Sequence, residues 1–288
     1  MDQYIKGALV ANAATLGFHW IYDSDYLEKL SKEQNLLFNK QMKKHFDRAT
    51  PSYYVYPHAK IGSSTTQGMM LKWLYKEMKS NPTISKNDYE DLIYNYIKPG
   101  GSYEGYIETY GKRLILQRLI KDLNLTMDEQ PLSDDHLVGF IPYLVCKELN
   151  INRDKAWELA SAFTTLEDYK YFYQMFDYIF KHIKTKPLSD VLSEAIQFAP
   201  KSYQEKLTQA IKMDDTKSFI RDYAGTACHL PQSIPLIYHM LYRSRSYEEI
   251  IDWNAKLGGA SSDRGLILGA VMAQISPIPE DWIKMTKI

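Results

Sequence analysis

The chain has 288 residues, 45% of them hydrophobic, with 35 Lys and Arg balanced by 35 Asp and Glu. The apolar content suffices for a sizeable buried core, and the zero formal charge lacks the basic excess of a nucleic-acid-binding chain. Two cysteines, Cys146 and Cys228, are too few for a disulfide framework and have no metal-ligand spacing along the chain.

No signal peptide is read at Met1-Asp2-Gln3-Tyr4 and no apolar run reaches spanning length, so a cytoplasmic protein without membrane contact is expected. The 23 tyrosines and 5 tryptophans are read mainly as core and helix-face packing, where large rings contribute most.

Apolar residues recur at helical spacing through most of the chain, which predicts an all-α fold. Ile5, Leu9, Ala13 and Leu16 form one stripe; Met69, Met70, Trp73, Leu74 and Met78 form the next. Asn87 is placed as the N-cap of a helix over residues 89–97, ended by Pro99-Gly100-Gly101. Helical periodicity continues over 106–120, 137–149, 156–163, 169–183 and 188–198. It ends with 203–211, 217–223, 234–242, 247–257 and 264–275.

Residues 52–56 could pair as a short strand, but Pro51 and Pro57 favour a loop. Residues 22–63 are the least periodic stretch and are read as a partly helical surface excursion from a single domain spanning residues 1–288.

The chain carries no phosphate-loop pattern, HExxH, GxSxG or GxGxxG. Three polar segments stand at helix starts. Asp134-Asp135-His136 follows Ser133, a candidate cap, with two acids suited to the positive end of a helix dipole. Ile61-Gly62-Ser63-Ser64-Thr65-Thr66-Gln67 clusters hydroxyls where free N–H groups suit phosphate or ribose oxygens. Gly258-Gly259-Ala260-Ser261-Ser262-Asp263-Arg264-Gly265 is a glycine turn feeding a helix that is apolar on nearly all sides.

These segments fall in a recognisable order with others. The series begins with Gly7-Ala8-Leu9-Val10-Ala11-Asn12-Ala13-Ala14, His19-Trp20-Ile21-Tyr22-Asp23, Thr66-Gln67 and Tyr103-Glu104-Gly105-Tyr106. It continues through Asp134-Asp135-His136-Leu137, Ile141-Pro142, Gly225-Thr226-Ala227-Cys228-His229-Leu230-Pro231 and Ile234-Pro235 to Gly258-Gly259 with Arg264-Gly265. Across nearly the whole chain the series resembles the ADP-ribosylglycohydrolase superfamily, in particular its branch that includes the J1-crystallins. The resemblance implies an orthogonal helical bundle with one deep central cleft. In active members that cleft holds two Mg²⁺ ions, and the N- or O-glycosidic bond of ADP-ribose is hydrolysed there.

On the same resemblance the metal-binding acids are replaced. The Asp of an early GDA motif is Asn12, and a Glu expected shortly after falls at His19. A T-D-D-T run falls on Ser63-Ser64-Thr65-Thr66, and the two Asp of a final GGDxDT motif fall on Ala260 and Ser262, with Asp263 at its Thr. Hydroxyls lack the charge that offsets dehydration of a divalent ion. No cofactor is therefore expected, with Mg²⁺ at most at a single weak site.

Two readings follow. The first is a metal-free glycosidic-bond hydrolase, with Asp263 or Asp134 as general base and His19 as acid. Asn12, Ser64, Thr65, Thr66, Asp135, Gly258, Gly259, Ser261 and Ser262 would then line the site of an ADP-ribose-like nucleotide or sugar. The second is a catalytically inactive descendant that binds a ligand or serves structurally, as J1-crystallins do. Oligomeric state is not legible in either.

Overall fold

The computed structural model describes residues 3–126 and 135–288, and every regular element among them is helical. Helix α1 spans Gln3–Ala14, α2 Ser24–Ser31, α3 Lys43–Phe46, α4 Thr66–Ser80, α5 Lys86–Ile97 and α6 Thr109–Asp122. Then come α7 at Phe140–Glu148, α8 at Arg153–Ala160, α9 at Asp168–His182, α10 at Leu188–Ala195 and α11 at Lys201–Lys212. The series closes with α12 at Thr216–Tyr223, α13 at Leu230–Arg243, α14 at Tyr247–Leu257, α15 at Ser261–Met272 and α16 at Glu280–Met285. The isolated β-bridges among these residues join Ile21 to Ser52 and His136 to His229, so the stretch after Pro51 is a loop. No described helix is long and apolar enough to cross a membrane.

Helices α1 and α15 lie at the centre. Every residue of α15 is buried, as is all of α1 from Gly7 onward. The two helices meet backbone to backbone: a Cβ on Gly7 would stand 2.3 Å from the Gly269 carbonyl oxygen, and one on Gly269 2.2 Å from that of Gly7. Small residues are required there because any side chain would force the helices apart. Tyr247 of α14 donates its hydroxyl to the Gly7 carbonyl at 2.6 Å, fixing a third helix to the pair.

The aromatic stripe of α9 packs under α7, where Phe140 meets Tyr169, Tyr173 and Phe176 edge-on and Tyr143 stacks on Tyr173 at 4.7 Å between centroids. Such pairs contribute about 0.5–1.5 kcal/mol each beyond the area they bury.

Two local readings change. Helix α5 is capped by Ser85, not Asn87: Asp88 N–H donates to Ser85 Oγ at 3.2 Å, and Ser85 N–H donates to the Asp88 carboxylate at 3.1 Å. This reciprocal capping box satisfies two otherwise orphaned donors, which Asn87 could not do. The segment over 22–63 is partly helical and also contributes to the core, with Leu27, Leu36, Phe38, Phe46 and Tyr56 buried. Ser133 lies outside the described residues.

Candidate functional site

Asn12 sits on the inner face of α1, fully buried. Its amide nitrogen donates to Thr65 Oγ1 at 2.9 Å and to the Ser262 carbonyl at 3.0 Å. Its oxygen accepts from the Thr65 N–H at 3.0 Å. Thr65 is the N-cap of α4, and its hydroxyl donates onward to Asp263 Oδ1 at 3.1 Å. One amide therefore stitches the starts of α4 and α15 to the middle of α1. All four residues are sealed from solvent rather than lining an open cleft.

Donor and acceptor roles in this network are fixed. Asn12 must present its NH₂ to two acceptors and its carbonyl to a donor, so neither orientation nor charge is free to change. Thr15 adds a hydroxyl bond to Ser262 Oγ at 3.2 Å. The Ser262 N–H donates to His19 Nδ1 at 3.2 Å, which assigns His19 the Nε2–H tautomer. That N–H faces Asp263 Oδ2 across 3.7 Å, and neither atom makes a hydrogen bond.

Burial and the neighbouring Arg264 guanidinium push His19 down to about 3, so its ring is neutral near physiological pH. Burial pushes Asp263 up to about 7, against the Thr65 hydrogen bond and the Arg264 charge that favour its ionised form.

A second carboxylate, Glu108 at the N-cap of α6, adjoins this network. It is buried, is reached by Gln67 Nε2 at 3.5 Å, and has one oxygen without a hydrogen bond. Burial, then the Asp263 charge, holds its carboxyl well above the usual range. Thr66 closes the wall beside it. Its hydroxyl donates to the Tyr106 carbonyl and meets the hydroxyls of Tyr103 at 2.9 Å and Tyr56 at 3.2 Å. Outside that tyrosine wall lies a cavity of about 640 Å³, lined by Tyr56, Ser64, Met69, Lys72, Tyr103 and Tyr106 among others.

The glycine run acts as a clamp. Gly258 and Gly259 both take positive φ, 70° and 62°, where L side chains are strained. Gly259 exchanges hydrogen bonds with the HWIYD segment, donating to the Ile21 carbonyl at 2.6 Å and accepting from Trp20 N–H at 2.8 Å. Arg264, fully buried, spreads its guanidinium over the Asn254 side chain at 3.2 Å, the Thr226 carbonyl at 2.6 Å and the Gly258 carbonyl at 2.5 Å. Its planar fork suits three fixed acceptors. Ser261 is buried, and its carbonyl accepts from Asn254 at 2.6 Å.

Of the residues singled out from sequence, Asn12, His19, Thr65, Ser262 and Asp263 come together in one hydrogen-bonded cluster. Ser64 and Thr66 border the adjacent cavity wall, and Gly258, Gly259 and Ser261 form the turn behind. Asp135 stands apart, half-exposed, with its carboxylate on His229 Nδ1 at 2.7 Å. Asp134 lies outside the described residues. Sequence reading missed Glu108, Tyr56 and Tyr103, and with them Arg264 as a clamp. An acid opening an amphipathic helix looks the same in sequence whether it faces water or the interior.

The fold and site together define an all-α protein with a sealed polar centre containing one carboxylate, Asp263, hydrogen-bonded to Thr65, and a second, Glu108, beside it. No protein-family model matches the chain. It is distantly similar to crystallin J1A of Tripedalia cystophora, 23% identical over 314 residues, a match covering 98% of this chain and 90% of that protein.

Proposed function

We propose that the chain is a non-catalytic protein built on the ADP-ribosylglycohydrolase scaffold, related to the crystallin J1 type, in which a hydrogen-bonded plug replaces the dinuclear metal centre. The observation that carries this reading is the Asn12–Thr65–Asp263 network. A magnesium pair requires several oxygen ligands with negative charge among them. Here the Asn12 amide turns two protons toward Thr65 and Ser262, and the Ala260 position offers a methyl group. The Ser262 hydroxyl already accepts from Thr15. These residues do not fit a dinuclear magnesium centre, and no hydrolytic step is derived through one.

What remains for such a scaffold is a stable helical body with a tyrosine-lined cavity suited to a sugar or nucleotide. The test is release of ADP-ribose from modified protein and from small conjugates, with and without Mg²⁺. No release above a buffer control is expected, and release under either condition overturns the proposal. A thermal-shift panel of ADP-ribose, nucleotides and sugars then separates a binding role from a purely structural one.

One observation favours a metal-free hydrolase instead: Glu108 and Asp263 are two buried carboxylates whose charges oppose each other, both pushed upward. Neighbouring acids of that kind can divide general-acid and general-base roles. Release abolished by both Glu108→Gln and Asp263→Asn would establish that reading.

A further inference from the structure

A different group of chemistry-bearing side chains lies away from the Asn12 network. His136, just before α7, and Cys228 and His229, just before α13, bring two imidazoles and a thiol together, with one ligand atom from each within 4.8 Å of the others. The backbone holds this arrangement. His136 and His229 form an antiparallel bridge, Leu230 N–H donates to the Asp135 carbonyl at 2.8 Å, and the two imidazole rings lie 4.5 Å apart between centroids.

We propose that His136, Cys228 and His229 form a binding site for one zinc-class divalent ion, with Asp135 orienting His229 from behind. Tetrahedral zinc, with bonds of about 2.0–2.3 Å, sets its ligand atoms about 3.3–3.6 Å apart. The three donors are therefore within a side-chain rotation of that geometry. The donor set selects the metal: two imidazoles and a thiolate suit zinc and its neighbours, and do not suit magnesium or calcium.

Asp135 accepts from His229 Nδ1 at 2.7 Å, which leaves Nε2 as the nitrogen whose lone pair can ligate. A carboxylate behind a ligating histidine fixes the ring and raises its basicity. Cys228 is buried beside His229 and lies within electrostatic reach of Arg264. The His229 side chain is 44% exposed, which gives an ion a path in. Three protein ligands leave a fourth position for water.

The test uses the full chain, stripped with chelator and titrated with zinc against a chromophoric competitor. One equivalent is expected to bind, with a rise in melting temperature. Cobalt in place of zinc should give a near-ultraviolet thiolate charge-transfer band that disappears in Cys228→Ser. Asp135→Asn, which keeps all three ligands, should weaken zinc binding by about 10–100-fold. Its result decides the matter if Cys228→Ser fails to fold. Zinc binding no tighter than that of the Cys228→Ser/His229→Ala double variant overturns the proposal. So does an Asp135→Asn affinity equal to wild type, or a cobalt spectrum without the thiolate band.

Discussion

Asn12→Asp is the most direct probe of the sealed centre, because the two side chains have nearly the same shape and packing is not disturbed. The substitution turns the NH₂ that serves Thr65 Oγ1 and the Ser262 carbonyl into an acceptor, while the bond from the Thr65 N–H survives. If the new carboxyl stays protonated, its single proton serves one partner and the bond to the other is lost. If it ionises, both bonds are lost and its charge opposes Asp263, while Thr65 Oγ1 keeps the Gly68 N–H as a donor. Each lost buried bond costs about 1–3 kcal/mol, so the loss is about 1–3 kcal/mol for the protonated form and about 2–6 kcal/mol for the ionised one.

Unfolding entropy near 2.1 cal/mol/K per residue gives about 0.6 kcal/mol/K for this chain, which converts that loss into a melting point about 2–10 °C lower, the larger drop belonging to the ionised form. The deficit should widen with rising pH, since the ionised form is the worse fit. The assay is thermal melting by circular dichroism at several pH values, repeated with Mg²⁺. A melting point within about 1 °C of wild type would refute the hydrogen-bond accounting. Full rescue by Mg²⁺ would show that one restored acid rebuilds a metal cage, and would sink the reading of the network as a plug.

Three further substitutions test the ionisation of the buried centre and the backbone at positive φ. Asp263 is held up to about 7, so the folded state keeps a proton that the unfolded chain releases near its ordinary value, and this group's contribution declines as pH rises from about 4 to 7. His19, held down to about 3, works oppositely: its contribution is lost as pH falls below about 6.5, which masks the first trend. Asp263→Asn should therefore gain stability relative to wild type by on the order of a few kcal/mol between pH 4 and 7, superimposed on a constant penalty from setting an amide donor against His19 Nε2–H. Urea denaturation curves that run parallel across that range would contradict the assignment. Gly259→Ala should fail to fold or lose more than about 4 kcal/mol, since its Cβ would stand 2.2 Å from the Thr226 carbonyl oxygen at positive φ. Gly100→Ala, also at positive φ but with open space around it, should cost only about 1–2 kcal/mol in the same denaturation assay.

The sequence by itself determined the helices. A 3.6-residue apolar period is a local property, and it placed most of the described helices to within a few residues, including the α14 and α15 pair around the glycine turn, but not the short α2, α3 and α16. It also pointed to Asn12, Thr65, Ser262 and Asp263 as residues of one site, through the order of short motifs. Local chemistry misled it at Ser85, where a reciprocal side-chain bond decided the cap in place of the nearest asparagine.

Only the tertiary structure decided that Asn12 reaches Thr65 across 53 residues, and that Thr65 reaches Asp263 across 198. Their hydrogen-bond partners, their burial and the resulting displacement of His19 and Asp263 from their ordinary ionisation all depend on how α1, α4 and α15 pack. The same holds for His136 beside Cys228 and His229. No spacing along the chain announces that group, because it exists only where the start of α7 meets the start of α13.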